Sequence, residues 1–501
     1  MTNVIGSVGV FSASYTKTLA DLRASFDQLQ LQLATGSKST DYAGLGKDGS
    51  LALSLQGKLT AFDSYKSSAD IVSLRLNMMQ TTLTGLTKST SDVRGVANTS
   101  TFQLANAAST VGQGTAKLQL DAVVDMLNAN VGGRYLFGGR EVESKPVATS
   151  ATIMDGSVGM AGFNAVVAER KAADLGTGTG RLDISQPTAS SVMIASDSAT
   201  PHPFGFKIAE ASATVAGANV NVTNTVPRSA EIDLTQQPIA GDTVKLRLEL
   251  PDGSFETVTL TAVSGPAQSA DEFSIGTDVA TTAANLSSAL TGAIRKMADT
   301  ALVAASALSA AKSFFSSDPP QRVDIPTAGT AASATGLRSG AADTVRWYQG
   351  DPETGSARNT QVARVNETSS VAYGMRANES AIAETIGTMA AFAAVRFDDG
   401  TANGAGRYDA LRTRVSAELY GAGGNGPVET LSIEVANIQN TVAASSERRE
   451  ASRNVLQTMY DGITTVDPQD VATQILALQT RLQASYQTTS LLSKLSLVNY
   501  L

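Results

Sequence analysis

The sequence contains no cysteine, one histidine and one tryptophan, and aromatic residues make up only 5% of it. Without cysteine, the chain has no disulfide bond, no thiolate metal site and no cysteine nucleophile. The single histidine, His202, stands between Pro201 and Pro203 in a predicted loop, so we expect a surface residue rather than a catalytic one. We therefore expect no enzyme activity, no catalytic residues, no metal and no cofactor.

The sequence also lacks a basic cluster and a long apolar run. Its formal net charge is −8, with acidic and basic residues interspersed. Since phosphate-binding surfaces need clustered Lys and Arg, we expect no nucleic-acid partner. No stretch has the length of a membrane span, and the first residues lack the pattern of a secretory signal, so we expect no membrane insertion. The charge run Glu447–Glu450 is interpreted as solvated pairs on a helix.

The residues that are present favour long helices. From Phe62 to Val111, apolar and small side chains recur in alternating steps of three and four residues, without a proline. This spacing places one apolar stripe along a helix of roughly 75 Å, at about 1.5 Å per residue. Such a stripe must be covered by another helix. We predict that the helix starts at Leu51 and ends near Val131, before Gly132-Gly133.

Near the amino end a short stripe precedes this long one, and near the carboxyl end a long stripe precedes a short one, which is the reverse order. A short stripe from Tyr15 to Leu33 ends at Gly36. A long stripe from Leu431 to Ile463 stops at Asp467-Pro468, and a short one from Val471 to Leu492 follows. Residues 44–49 fit the GxGxxG pattern, but they follow a helix instead of a strand and are interpreted as a turn.

The middle of the chain, from about residue 150 to 340, is rich in Thr, Val, Gly and Ala and contains runs that alternate apolar and polar residues. Residues 244–250 and 255–260 alternate apolar and polar around Asp252-Gly253, which predicts a β-hairpin. Residues 220–222 and 232–234 are weaker strand candidates, and an alanine-rich helix is predicted over residues 280–315. Trp347 is expected to be a buried anchor. An amphipathic helix is predicted from Arg376 to Val395.

The predicted fold class is mainly α: an elongated coiled-coil or helical bundle formed by the amino-terminal and carboxyl-terminal segments, with an inserted α+β module. The predicted domains are an amino-terminal assembly and export helix (1–45), the amino-terminal part of the bundle (46–145), the inserted variable module (146–340), the carboxyl-terminal part of the bundle (341–466) and a carboxyl-terminal assembly helix (467–501).

Three short motifs accompany this arrangement. Leu33–Lys38 forms a Thr-Gly turn after the first helix. Gly133–Gly139 contains Arg134, Tyr135, Leu136, Phe137 and Gly138 at a helix exit. Leu482–Tyr486 is followed by Leu495–Leu497 near the carboxyl end. With the reversed order of stripes, these motifs resemble the flagellin family of bacterial axial proteins, and within it the hook–filament junction subfamily of hook-associated proteins. The resemblance covers about residues 1–145 and 340–501.

The resemblance implies a structural subunit that joins hook to filament in the bacterial flagellum. It implies secretion without a cleavable signal peptide, through the flagellar type III pathway, to an extracellular location. The implied partners are further copies of the chain in a helical or ring assembly, a neighbouring hook-associated protein, flagellin, an export chaperone and the export apparatus. Two alternatives stay open: the filament flagellin itself, and a surface adhesin or enzyme activity carried on the inserted module.

The predicted assembly interface is formed by apolar residues of the two terminal stripes. We expect a coiled coil that becomes buried when subunits stack. Its residues are Leu22, Phe26, Leu29 and Leu33 near the amino end, and Leu478, Leu482, Leu492, Leu495 and Leu497 near the carboxyl end.

Overall fold

The structure is a computed structural model that describes residues 4–106, 108–397, 402–421 and 426–498; side chains are not described for residues 4–15 and 492–498. The protein is mainly helical with a mixed α+β module. Its α-helices are α1 (Val4–Thr35), α2 (Gly49–Thr99), α3 (Val111–Leu127), α4 (Ser150–Asp155), α5 (Phe163–Leu175), α6 (Val279–Met297), α7 (Val303–Phe315), α8 (Ser380–Ala394), α9 (Gly404–Tyr420), α10 (Glu429–Thr464) and α11 (Pro468–Val498).

The strands are mostly short. They are β1 (Asn130–Val131), β2 (Arg134–Tyr135), β3 (Gly156–Ser157), β4 (Met160–Ala161), β5 (Leu182–Ser185), β6 (Ser191–Ser196), β7 (Lys207–Ala213), β8 (Asn219–Thr223), β9 (Ser229–Asp233), β10 (Thr243–Glu249), β11 (Phe255–Val263), β12 (Glu272–Ser274), β13 (Gln321–Val323), β14 (Leu337–Ser339), β15 (Val362–Arg364) and β16 (Ser370–Ala372). No helix in the described ranges has the length and hydrophobicity needed to cross a membrane.

The chain folds into two compact units. The described residues of unit 1 fall within Met1–Val72, Ala363–Val371 and Asn440–Leu501. Those of unit 2 fall within Ser73–Val362 and Ala372–Gln439. Each unit therefore combines segments from both halves of the sequence.

Unit 1 is helical. Helices α1 and α11 pack against each other. Within this unit, α10 and α2 are joined by an ion pair in which Arg453 Nε lies 2.9 Å from Asp63 Oδ1. The stripe on α2 is buried here at Ala69 and Val72, and Ala52, Leu55 and Leu59, which precede the stripe, are buried as well. In unit 1, helices from the two ends of the sequence therefore contact each other.

The long helix ends earlier than predicted. Helix α2 stops at Thr99, and α3 starts at Val111, so the extension of the stripe from Ser100 to Val111 is wrong. The reason is a capping box, in which the Thr110 side chain accepts from the Gln113 backbone N–H and the Gln113 side chain accepts from the Thr110 N–H. This pair starts a new helix, and Leu104 and Val111 are exposed instead of lying on the stripe.

Two four-stranded sheets form the β part of unit 2. One has the order β5-β6-β9-β8 and is antiparallel. The other has the order β12-β11-β10-β7, in which β11 and β12 are parallel. The predicted hairpin is confirmed, with Thr243 opposite Thr261 and Glu249 opposite Phe255. The alternating apolar residues of both sheets and one face of α6 share a single core.

A helical core forms the other part of unit 2. Helix α7 packs against α5, α8 and α9, so it is buried on most sides. Trp347 is the predicted buried anchor: it is 3% exposed, and its Nε1–H donates to the Phe315 carbonyl at 3.0 Å. Helix α8 was predicted to bury one face; instead it is buried nearly all round, because α3, α7 and α9 enclose it.

Candidate functional site

The terminal helix pair, α1 with α11, contains the predicted assembly residues. The guanidinium of Arg23 on α1 connects the two helices: its Nε donates to the Tyr486 hydroxyl at 2.8 Å, and its Cζ lies 5.5 Å from the centre of that ring. The two contacts hold the helices side by side at one level. The pair lies within unit 1.

The apolar residues predicted for the interface are incompletely covered. Leu22, Phe26, Leu29 and Leu478 are half-buried, Leu482 is 9% exposed, and Leu33 is 44% exposed. Leu492, Leu495 and Leu497 lie outside the residues whose side chains the structure describes. The structure thus brings the two stripes together within one chain, but the pair covers each stripe only in part.

Other leucines of the pair face solvent. Leu31 is 49% exposed on α1, while Leu476 and Leu491 are 64% and 60% exposed on α11. Isolated exposed leucines are ordinary on protein surfaces, but here several share one helix pair that also has an incompletely covered seam. A further apolar surface packed on this pair would bury them.

The turn after α1 and the turn before α11 are joined by backbone hydrogen bonds. Val466 N–H donates to the Gly36 carbonyl at 3.0 Å, and Lys38 N–H donates to the Thr464 carbonyl at 2.8 Å. We call Gly36–Lys38 and Thr464–Val466 the turn pair. Gly36 adopts φ +67°, a conformation that glycine takes without steric cost, and its N–H caps α1 by donating to Gln32. The Thr-Gly motif therefore fixes where α1 ends relative to α11.

The motif at residues 134–138 has a structural role in unit 2. Gly132 and Gly133, both at positive φ, turn β1 back onto β2, so that Tyr135 lies opposite Asn130. The next two side chains, Leu136 and Phe137, are buried. The motif therefore follows the end of α3, as expected of a helix exit, and continues as a short strand with buried apolar side chains after it.

Backbone hydrogen bonds then tie the end of this motif to the segment before α8. Ala377 N–H donates to the Phe137 carbonyl at 2.9 Å, and Asp351 N–H donates to the Gly138 carbonyl at 3.0 Å. A Cβ at Gly138 would lie 2.0 Å from the Glu141 carbonyl oxygen, so no other residue fits there. The motif therefore joins two distant parts of the sequence.

Two predictions about charged residues are wrong. Arg449 was expected to be solvated within its charge run, but it is 7% exposed and its Nη1 donates to the Val365 carbonyl at 2.8 Å. His202 was expected on the surface, but its side chain is 1% exposed. Both residues are buried because a backbone or side-chain acceptor from elsewhere in the fold satisfies them.

An ionic cluster surrounds His202 in unit 2. His202 Nε2 lies 3.2 Å from Asp197 Oδ1, and Phe204 N–H donates to Nδ1 at 3.3 Å, which makes Nε2 the protonated nitrogen. Burial acts to raise the pKa of Asp197, but the hydrogen bond from His202 and the charge of Arg181 outweigh it and lower that pKa. A second buried pair, Arg170 with Asp174, lies nearby at 2.8 Å.

The sequence does not reveal this cluster because Arg170 and Asp174 lie on α5, Arg181 lies in the loop before β5, and Asp197 and His202 lie in the loop between β6 and β7. Among the described residues, no group of three or more His, Asp and Glu side chains is placed to hold a metal ion. Comparison with protein-family models gives no match to the chain, and comparison with curated proteins gives none either.

Proposed function

We propose that this protein is a structural subunit of the bacterial flagellum that joins hook to filament by self-association through its terminal helices. The observation that carries the proposal is the terminal helix pair, whose apolar seam one chain covers only in part. The three motifs that resemble the flagellin family support it, because two of them lie on this pair or its turns. The protein has no enzyme activity in this proposal.

The finer architecture belongs to the same proposal. We infer that α2 and α10 pack on each other as a coiled coil. The buried stripe of Leu76, Met79 and Leu83 on α2 and of Leu431 and Val435 on α10 supports this, as does the hydrogen bond from Gln439 Nε2 to Asn77 Oδ1 at 3.0 Å.

The proposed flagellar role also specifies how the chain is exported and which partners it has. A chain without disulfide bonds passes through a narrow type III channel in an unfolded state and refolds outside without an oxidant. Its partners are further copies of the chain, a neighbouring hook-associated protein and flagellin on the growing structure, with an export chaperone and the export apparatus before secretion. The filament flagellin is the alternative within this class.

Substitutions on the terminal pair test the proposal. Burying one leucine contributes roughly 2 kcal/mol, and an aspartate at the same place must also be desolvated. Leu476→Asp, on the exposed side, should leave the monomer folded but stop incorporation. Leu482→Asp, inside the pair, should also separate α1 from α11. In cells without the native gene, both variants should leave hooks complete, release flagellin into the medium and abolish swimming.

The matched control is Val158→Asp, because Val158 is fully exposed in a turn of unit 2. This variant should swim normally. Normal swimming with Leu476→Asp and Leu482→Asp would refute the assembly role of the helix pair. Antibody labelling then separates the two flagellar roles: signal at one junction supports the junction subunit, and signal along the filament supports flagellin.

A further inference from the structure

Residues of the two sheets of unit 2 and of the adjoining loops line an open pocket of about 270 Å³ that the assembly role does not use. We call it the sandwich pocket. Residues of β5 and β6 line it from one sheet, and residues of β7 and the end of β10 line it from the other. It is smaller than the roughly 300–1,000 Å³ of sites for drug-sized ligands, so a ligand here must be small.

One side of the sandwich pocket is apolar and rigid. Leu182, Phe206 and Ile208 each line it and are each 1% exposed. All three belong to the core shared by the sheets and α6, so their positions are fixed by packing. Beside these buried residues, Val226 also lines the pocket and is 45% exposed, so it offers apolar surface to a ligand with a compact apolar group.

The other side has two cations without a carboxylate partner. Lys207 Nζ donates to the Phe204 carbonyl at 2.8 Å and lies 3.4 Å from His202 Nδ1, and no carboxylate of the described residues lies within ion-pair distance of it. The guanidinium of Arg228 makes no hydrogen bond or ion pair within the described part of the chain. Both side chains line the sandwich pocket.

The nearby carboxylates are already engaged. Asp174 pairs with Arg170, and Asp197 pairs with Arg181 and His202. Glu249 also lines the pocket and lies opposite Lys207 in the β7–β10 register, but the two do not form an ion pair. The wall therefore has two unpaired cations and one carboxylate, which leaves a net positive charge.

The lowered pKa of Lys207 agrees with the net positive charge of the pocket wall. Burial lowers its pKa to about 8, and the charges of Arg181 and Arg228 add to the effect, while Asp197 and Asp174 oppose it. A partly buried ammonium that the protein compensates incompletely is stabilised by an anion arriving from solvent. An arginine beside it offers a planar fork suited to a carboxylate.

From this geometry we propose that the sandwich pocket binds a small carboxylate with a compact apolar group, its carboxylate held by Lys207 and Arg228 and its apolar part packed on Val226. This gives unit 2 a ligand-binding site that is independent of assembly. Phosphate lacks the apolar part and should bind more weakly.

Calorimetric titration of the full chain with benzoate tests the proposal. Benzyl alcohol, which has the same ring and no charge, should bind at least about tenfold more weakly, as should inorganic phosphate. Lys207→Met and Arg228→Gln should each weaken benzoate binding by about tenfold or more, and Arg228→Lys should recover part of the loss. Arg346→Gln, which removes an exposed cation paired with Asp318, should bind benzoate normally.

Fluorescence of the single tryptophan, Trp347, shows whether each variant keeps unit 2 folded. Saturable benzoate binding that depends on Lys207 and Arg228 establishes the site. The proposal is overturned if benzoate gives no saturable heat up to about 10 mM, or if folded Arg228→Gln binds it as tightly as the native chain.

Discussion

The shared core of the sheets and α6 contrasts with the terminal helix pair. In the sheet core, residues such as Leu246, Leu260 and Leu286 are completely buried within one chain. In the terminal pair, Leu22 and Leu478 are half-buried and Leu476 is mostly exposed. The first arrangement is complete in the monomer, whereas the second has apolar surface that another chain can cover. The difference suggests that the sheet core supplies stability and the helix pair supplies association.

The largest predicted effect is a loss of stability in the sheet core. Leu286→Ala leaves a cavity among fully buried neighbours and should reduce the unfolding free energy of unit 2 by about 3 kcal/mol. Leu478→Ala, the matched change on α11, should reduce the stability of the monomer by about 1 kcal/mol or less, because that side chain is only half-buried.

Urea unfolding followed by two signals measures both changes. Trp347 fluorescence reports unit 2, where Trp347 packs on Phe315, and far-ultraviolet circular dichroism reports all helices. Leu286→Ala should shift the fluorescence midpoint, and Leu478→Ala should leave it in place. Equal shifts from the two variants would remove the contrast between the regions.

A smaller effect is predicted in the turn pair. Gly36→Ala meets no steric obstacle from other residues, so its cost is the positive φ alone, about 1 kcal/mol. Gly57→Ala, at an exposed and equally open position inside α2, should instead stabilise unit 1 by about 0.5–1 kcal/mol. Thermal melting of the two variants by circular dichroism should shift in opposite directions, and shifts of the same sign would contradict this account of Gly36.

The smallest predicted effect is the pH dependence that Lys207 adds to the sheet core. Its pKa is about 8 in the folded state, below the ordinary value of 10.5. Between these values the unfolded chain binds the proton and the folded chain does not, so stability contributed by this group rises with pH above about 8. The effect is small because Lys207 keeps part of its hydration.

The difference between the native chain and Lys207→Met isolates this contribution. The native chain should gain stability relative to the variant from pH 7.5 to pH 9.5 in urea unfolding followed by Trp347 fluorescence. A constant difference over this range would mean that the ammonium of Lys207 is not disfavoured in the folded state.

Much of the fold could be predicted because periodicity is local. The stripes of α1, α10 and α11, the stop at Gly36 and the hairpin of β10 and β11 all follow from spacing and turn residues. The end of α2 was missed, although the sequence contains a signal for it. Asn98–Thr101 is a cluster of Asn, Ser and Thr, and Thr110 with Gln113 has the spacing of a capping box.

The functional features were harder to predict. The terminal stripes indicate the residues of the proposed assembly interface, but not how much of each residue one chain leaves exposed. The burial of His202 and Arg449 depends on Asp197 and the Val365 carbonyl, which other parts of the fold bring into place. The sandwich pocket combines Leu182 of β5, Lys207 of β7 and Arg228 of the loop before β9, and no spacing in the sequence indicates that they meet.

The absence of cysteine allows the central claim to be tested with single thiols. Leu476→Cys places a thiol on the exposed side of α11, and Val158→Cys places one in the exposed turn of unit 2. Maleimide labelling is measured on the secreted monomer and on isolated flagella. We predict that Leu476→Cys reacts readily in the monomer and at least about tenfold more slowly in flagella, where a neighbouring subunit covers it, while Val158→Cys reacts readily in both. Equal labelling of Leu476→Cys before and after assembly would contradict the claim that the terminal helix pair is the assembly interface.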